Sequence, residues 1–453
     1  MKQVCSLLSL SAILLALTLY SGCRPKTPAE TSAPAADTPR SGETATKAPV
    51  TSPAASETAA QGVAPEPPIA PPKIIEIKAD ELLAAQLSPE QLEQGWVRLF
   101  DGQSLFGWFV VGNADWQITD GGIIKVTRGE RSYLCTSFQI PDYELQLEFR
   151  SDAETNSGIF LRTGPEPQDV AVDSLELNIA PADNPFPTGS FVQRQKLEPE
   201  ALGKFDPTDW HTYLIRVSGK QVTVTLDGEQ ILQLDDIEVA PTGHISLQHN
   251  AGRVEFRNIL LRPLDLQELQ VGEKWEEDWT LSEKEPDTFK ATATDDGLKL
   301  LGGSGQLQSK QDYGNFFLQA RYALAKPEVN SGIFFRCIRD ALLDGYECQV
   351  NHAMTDGDPL RPLDAGAGAI FRRQPARIVV GDGTKPTYLT LLASGTQMVT
   401  WVNGVQVADF FDTRDPDDNP RRGLRTKAGP IALQGHDATT EVTFHSLKIG
   451  EIK

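Results

Sequence analysis

The pentapeptide Asn-Ser-Gly-Ile-Phe occurs twice, at residues 156–160 and 330–334, and in each copy an arginine follows two residues on, at Arg162 and Arg336. The copies start 174 residues apart. That is one domain's length of chain, and a period of this size excludes short-repeat solenoids, whose units run roughly 20–50 residues. Each copy also sits in a wider matching frame. Residues 142–150 align with 315–323, 175–179 with 346–350, Asp227-Gly228 with Asn403-Gly404, and Ser246-Leu247-Gln248 with Ala432-Leu433-Gln434. The chain reads as two related domains in tandem, 95–265 and 272–453, with the junction within 265–271.

The local signals inside each copy are those of strands. Tyr143, Leu145, Leu147 and Phe149 alternate with Glu144, Gln146, Glu148 and Arg150, which is the period of a sheet with one buried face. The β-rich runs 221–226 and 397–402 end at Asp-Gly and Asn-Gly, dipeptides that favour two-residue hairpins. No helical period is sustained beyond residue 95. Many short strands with turn chemistry between them predict an all-β chain of two tandem two-sheet sandwiches. Ahead of them, Ser88-Pro89-Glu90-Gln91 reads as one short helix start, with Ser88 as cap and Pro89 in the first turn.

The first 94 residues carry different information. Met1-Lys2-Gln3 and the apolar run from Leu7 to Leu19 have the form of an export signal, too short for a typical membrane span. Leu19-Tyr20-Ser21-Gly22-Cys23 resembles a bacterial lipobox, with Tyr20 where an aliphatic residue is usual. This predicts a signal peptide over 1–23 and lipidation of Cys23, hence a protein held to the cell envelope, at the outer membrane or in the periplasm. Residues 24–75 are mostly Pro, Ala, Thr, Ser and Glu, a composition that buries too little apolar surface to offset chain entropy. They read as a disordered tether. Acidic residues outnumber basic ones by 62 to 42, for a formal net charge of −20, which disfavours nucleic acid as a partner and is compatible with a neutral polar ligand such as a sugar.

Strand alternation sorts the candidate site residues. In the second copy Ile333, Phe335 and Cys337 should face the core and Phe334 and Arg336 the outer face. Tyr346, Cys348 and Val350 should point in, leaving Glu347 and Gln349 out, with Gln434 and His436 outward on a later strand. In the first copy the same parity puts Phe160, Arg162, Glu176, Asn178 and Gln248 outward, with His249 beside them. A carboxylate, a guanidinium, amides and an aromatic on one sheet face suit a sugar. The plainer reading of Arg336–Glu347 and Arg162–Glu176 is a cross-strand ion pair, of small worth if exposed. Cys337 and Cys348, on neighbouring strands, are either two buried thiols or a disulfide. No cofactor is identified. The acidic run 412–419 offers oxygen ligands for a divalent metal such as calcium, but it lacks the EF-hand glycine and terminal glutamate and reads better as a solvated loop.

Several segments resemble the 3-keto-disaccharide hydrolase domain family. They are 99–108 (Leu-Phe-Asp-Gly-Gln-Ser-Leu-Phe-Gly-Trp), 156–162, 209–213 and 254–259 in the first copy. In the second they are 330–336, 345–350, 368–371 and 433–436. The resemblance implies the concanavalin A-like lectin/glucanase jelly roll and action on glycosides oxidised at C3. It casts Glu347 or Glu176 as the base that removes the C2 proton and Arg336 or Arg162 as partner of the developing oxyanion. Gln349, Gln434 and His436, and in the first copy Asn178, Gln248 and His249, become sugar ligands, with Phe334 or Phe160 stacking. The copies are unequal. The first keeps the family's opening frame but has Ser174-Leu175-Glu176-Leu177-Asn178 where the second has the fuller Gly345-Tyr346-Glu347-Cys348-Gln349. A non-catalytic carbohydrate-binding lipoprotein on the same fold is the alternative.

Overall fold

The computed structural model describes residues 77–285 and 287–452, all within one compact unit. The signal, the lipidation site and the tether lie outside the described residues, apart from the end of the lead-in to the first domain. Two short helices open the described chain, at Ala79–Ala84 and Pro89–Glu93. The second has the expected cap: Gln91 N donates to Ser88 Oγ (3.2 Å) and Ser88 N to Gln91 Oε1 (3.1 Å). The first is an addition to the sequence reading. It carries no side-chain cap, and it is held through Leu82, which is fully buried among Ala367, Ala369 and Ile378 of the second domain.

Each domain is a sandwich of an eight-stranded and a five-stranded antiparallel sheet. The strand order is the same in both. Of the two five-stranded sheets, the first runs Trp108–Val111, Ser132–Thr136, His244–Ala251, Asn156–Thr163, Leu175–Ile179. The second runs Trp279–Glu283, Gly305–Tyr313, Gly429–Gly435, Ser331–Phe335, Tyr346–Val350. The duplication inferred from a pentapeptide is thus a duplication of topology. Gln267–Glu268 already pairs with Glu441–Glu451, so the second sandwich begins before residue 272.

The alternating strand behaves as its sequence requires. Tyr143, Leu145, Leu147 and Phe149 are fully buried, as are Phe316, Leu318 and Tyr322 on the matching strand Phe316–Leu324. Both hairpins use two consecutive left-handed residues, Asp227-Gly228 (φ 49°, 88°) and Asn403-Gly404 (φ 46°, 79°), the geometry that matches strand twist. Asp227 and Asn403 then accept the backbone N–H of Thr212 and Tyr388.

The two sandwiches share buried surface. Trp401 of the second is fully buried in the core of the first, edge-on to Phe138 at 5.5 Å, with its indole N–H donating to Arg98 O (3.0 Å). Arg377 reaches across to Asp101 (2.8 Å) and lies over the ring of Phe106 (4.2 Å). Cys135, Cys337 and Cys348 are free buried thiols.

Parity fails at one place, and it fails the same way twice. Arg162 and Arg336 adopt left-handed backbone (φ 49° and 48°). That conformation breaks the up-down alternation of a strand. Cys337 therefore packs with Phe334 and Ala432 on the outer face rather than with Ile333 and Phe335 in the core. The arginine turns into the end of the sandwich. Gly243 and Gly429 make room for this kink, since a Cβ on either would fall 2.3 Å from Arg162 C or 2.1 Å from Cys337 O.

Candidate active site

The five-stranded sheet of the second domain turns Phe334, Glu347, Gln349 and Gln434 away from the core, as alternation predicts, and all four line a cavity of about 500 Å³ together with Asn330 and His436. The repeated Asn-Ser-Gly has a specific local meaning. Ser331 Oγ donates to Gln434 O (2.8 Å), and Ser157 Oγ to Gln248 O (2.6 Å) in the first copy, fixing the site strand to its central neighbour. The glycine is small because the glutamate lies over it. A Cβ on Gly332 would stand 2.9 Å from Glu347 Oε1 and 3.2 Å from Gln434 Oε1; one on Gly158 would stand 3.1 Å from Glu176 Oε1. Gly332→Ala is therefore expected to displace the carboxylate and cut turnover at least tenfold. Its Tm should fall little, because the clash is with the ends of side chains, and paired kinetics and thermal melts check this.

Glu347 is half-buried. Burial pushes its carboxyl up to about 7. The charges of Arg421 and Arg372 oppose that rise and Asp364 adds to it. Asp364 in turn accepts from Asn330 Nδ2 (2.5 Å) and Gln349 Nε2 (3.0 Å). The outward oxygens Gln349 Oε1, Gln434 Oε1 and Asn330 Oδ1 have no partner in the protein, so the amides can accept from a ligand's hydroxyls. Phe334, 1% exposed, forms floor rather than platform; Phe371, half-buried on the cavity wall, is the more accessible ring. His436 stands at the rim with Nδ1 2.8 Å from Asp437.

Arg336 and Arg162 do not join this site. Arg336, fully buried, gives its guanidinium to Gly314 O (2.8 Å), Gly395 O (2.7 Å), Arg425 O (3.1 Å) and Asn315 Oδ1 (3.1 Å). Arg162 does the same with Pro141 O, Gly219 O and Asp142 Oδ1. The cause is the left-handed kink. The cations whose charge reaches Glu347, Arg421 and Arg372, come instead from two loops that alternation cannot address, and neither forms an ion pair with it among the described residues. Arg372 and Arg373 sit on a turn whose Phe371 N–H donates to Glu347 O (2.9 Å). Arg421 sits on loop 412–428. That loop is the acidic run weighed as a metal site, but three of its four acids face cations: Asp412 with Arg414, Asp417 with Arg422 and, at 3.8 Å, Asp418 with Arg425. Among the described residues no group of three or more His, Cys, Asp or Glu side chains is placed to hold a metal ion. The loop is tied down by Tyr346, whose hydroxyl donates to Asp412 (2.7 Å) and accepts from Arg425 N (2.9 Å). Arg425 Nε donates to Arg336 O (3.0 Å), so Arg336 positions the loop that carries Arg421.

The first copy keeps the sheet and changes the trim. Glu176, Asn178 and Gln248 are buried on the same face, and burial pushes Glu176 up to about 7, with Arg131 and a hydrogen bond from Gln248 opposing. Tyr133 occupies the place of Gln306 in the strand register and packs edge-on against Phe160 at 5.3 Å. The turn over the glutamate reads Val192-Gln193-Arg194 where the second copy has Phe371-Arg372-Arg373. The loop corresponding to 412–428 shrinks to 235–243. His249 is 1% exposed and bonds Gly252 O (3.1 Å), on the strand face opposite Gln248; it is not a ligand in this cluster.

A model of the 3-keto-alpha-glucoside-1,2-lyase-like domain matches residues 95–262 and again 269–450. Two provisionally assigned glycosyl hydrolases of Parabacteroides distasonis ATCC 8503 are similar in structure. One is 19% identical, over 40% of this chain and 99% of its own, with a TM-score of 0.35. The other is 25% identical, over 37% and 99%, with a TM-score of 0.32. The carbohydrate-binding module CBM66 of Bacillus subtilis is 15% identical over 34% of this chain and 95% of its own, with a TM-score of 0.28. No curated protein matches the chain. With its domain model matched twice over most of the sequence, the chain belongs to the 3-keto-alpha-glucoside-1,2-lyase-like domain family.

Proposed function

We propose that the second domain cleaves glycosides whose sugar is oxidised at C3, with Glu347 as general base. The observation that carries this reading is a carboxyl raised to about 7 on the wall of a sugar-sized cavity with arginine beside it. A base should titrate near the working pH. The 3-keto group acidifies the hydrogen at C2. Glu347 takes that proton, and the electron pair moves to the C3 oxygen as an enolate, whose charge Arg421 stabilises. Collapse of the enolate breaks the C1–O bond, and the departing oxygen takes a proton. Water then adds across the resulting enone, hydroxyl to C1 and hydrogen to C2. Asn330, Gln349 and Gln434 accept from ring hydroxyls, and Phe371 offers a face for stacking. The other carboxylate on this wall, Asp364, is held by Asn330 and Gln349, which leaves Glu347 to take the proton and fits proton abstraction better than a two-carboxylate glycosidase.

The test is incubation with a 3-keto disaccharide and a chromogenic 3-keto glucoside. Release of aglycone is expected. Glycan binding without release would favour the carbohydrate-binding alternative. Glu176→Gln is expected to keep at least half of wild-type turnover, because the first copy lacks the counterparts of Phe371, Arg372 and Arg421; loss comparable to that of a Glu347 variant would move the site to the first domain.

For location, the proposal is a lipid anchor at Cys23 with export to the envelope. Cys23→Ser is expected to shift the protein from the detergent phase to the aqueous phase in Triton X-114 partition and to stop incorporation of labelled fatty acid.

A further inference from the structure

Resting on that reading, we propose that the sugar taken by the second domain carries an anionic substituent, a carboxylate or a sulfate, met by Arg372 and Arg373 at the cavity rim. Neither guanidinium has a carboxylate partner among the described residues. Arg372 lies 5.4 Å from the centroid of the Phe371 ring. Arg373 donates only to the backbone carbonyls of Arg372 (3.3 Å), Pro420 (3.4 Å) and Arg421 (2.8 Å). The acids on the cavity wall do not neutralise them: Asp364 is committed to Asn330 and Gln349, and Glu347 is the base. Arg421, by contrast, has Asp344 at 3.5 Å.

Two adjacent unpaired cations on the wall of a pocket stand out in a chain of net charge −20. The comparison between copies sharpens this. The turn itself is retained, with Ile370 bridging Gln374 as Phe191 bridges Gln195, and with Arg372 at φ 59° where Gln193 has φ 58°. On an unchanged backbone, the copy with the open cavity has Arg372 where the other has Gln193, while Arg373 matches Arg194. One guanidinium suffices for an enolate charge that exists only in passing. Two more permanent charges find a lasting partner when the sugar brings one, and Arg pairs bidentately with carboxylate and sulfate-like oxyanions.

The experiment uses three 3-keto disaccharides that differ only in one sugar: neutral glucosyl, glucuronosyl and sulfated glucosyl. Wild type should show kcat/KM about tenfold or more higher for at least one anionic substrate, the gain of a charged hydrogen bond, and the preference should shrink with added salt. The better of the two identifies carboxylate or sulfate. Arg372→Gln should bring the ratio toward one, and Gln193 shows that glutamine accepts this backbone conformation. Equal kcat/KM for all three substrates overturns the inference and leaves the reaction standing. If no 3-keto substrate is turned over, the reaction falls, and calorimetry with the unoxidised disaccharides decides the inference. Tighter binding of an anionic sugar by wild type, lost in Arg372→Gln, supports it; no preference overturns it.

Discussion

Replacing Glu347 by glutamine is expected to lower kcat/KM on a 3-keto glucoside by about 10²–10⁴-fold, the share a positioned general base contributes. Glutamine keeps the shape of the side chain over Gly332 and removes only the proton acceptor. The pH dependence follows from the direction of the shift. Burial pushes Glu347 up to about 7, and the base works deprotonated, so wild-type kcat/KM should climb between pH 6 and 8 and then level. The same shift has the opposite sign for stability. A carboxyl whose folded value lies above its unfolded value holds its proton more tightly when folded. Its contribution is full below the unfolded value of roughly 4.3 and is lost as pH rises through about 7. Glu347→Gln removes that loss, so the inactive variant should melt no lower than wild type at pH 8, and Glu176, with the same shift, should leave a residual slope. A flat rate profile from pH 6 to 8, or near-wild-type activity of the variant, would exclude Glu347 as the base.

Arg336→Leu is expected to cost several kcal/mol of stability, because the groups its guanidinium serves are backbone carbonyls and an amide rather than a carboxylate. Three backbone carbonyls lose this donor, while Asn315 Oδ1 keeps the Gly395 N–H (2.9 Å), and each stranded buried acceptor costs about 1–3 kcal/mol where water does not reach it. Lysine should rescue poorly, since a single ammonium cannot span acceptors placed around a planar fork. Activity per folded molecule should fall as well, because Arg336 braces the loop that brings Arg421 to Glu347. Arg162→Leu is the contrast: a similar loss of stability through Pro141, Gly219 and Asp142, with turnover per folded molecule near wild type. Thermal melts with active-site titration separate the two effects. An Arg336→Leu protein that melts with wild type would show that those bonds contribute little.

The framework was legible because period-two burial and Asn-Gly or Asp-Gly hairpins are local properties. Tyr143, Leu145, Leu147 and Phe149 announce their face without reference to anything distant, and Glu347, Gln349 and Gln434 inherit theirs in the same way. Arg336 was misread because one residue of positive φ cancels the alternation, and nothing in Phe334-Phe335-Arg336-Cys337 marks that change. The partner glycine does: Gly243 and Gly429 stand at the same place in both copies because the kink presses on them. Arg372, Arg421, Asp364 and Phe371 escaped because loops have no period. A comparison of the copies pointed to them all the same. Val192-Gln193 against Phe371-Arg372, and a 412–428 segment with only 235–243 as counterpart, are where two otherwise matched domains part company.

The helix Ala79–Ala84 lies outside the stretch matched to the family, yet its Leu82 sits in the foundation of the far domain, under Ala367, Ala369 and Ile378. Ala367 and Ala369 run directly into Phe371 and Arg372, and Ile378 follows them. A truncation drawn at the family boundary near residue 95 would leave both sandwiches nominally whole and pull a wedge from beneath the cavity wall. The segment ahead of the matched domains is therefore a working part of both: Lys78 exchanges hydrogen bonds with Gln103 of the first sandwich (2.9 and 3.2 Å), four residues before Leu82 enters the second.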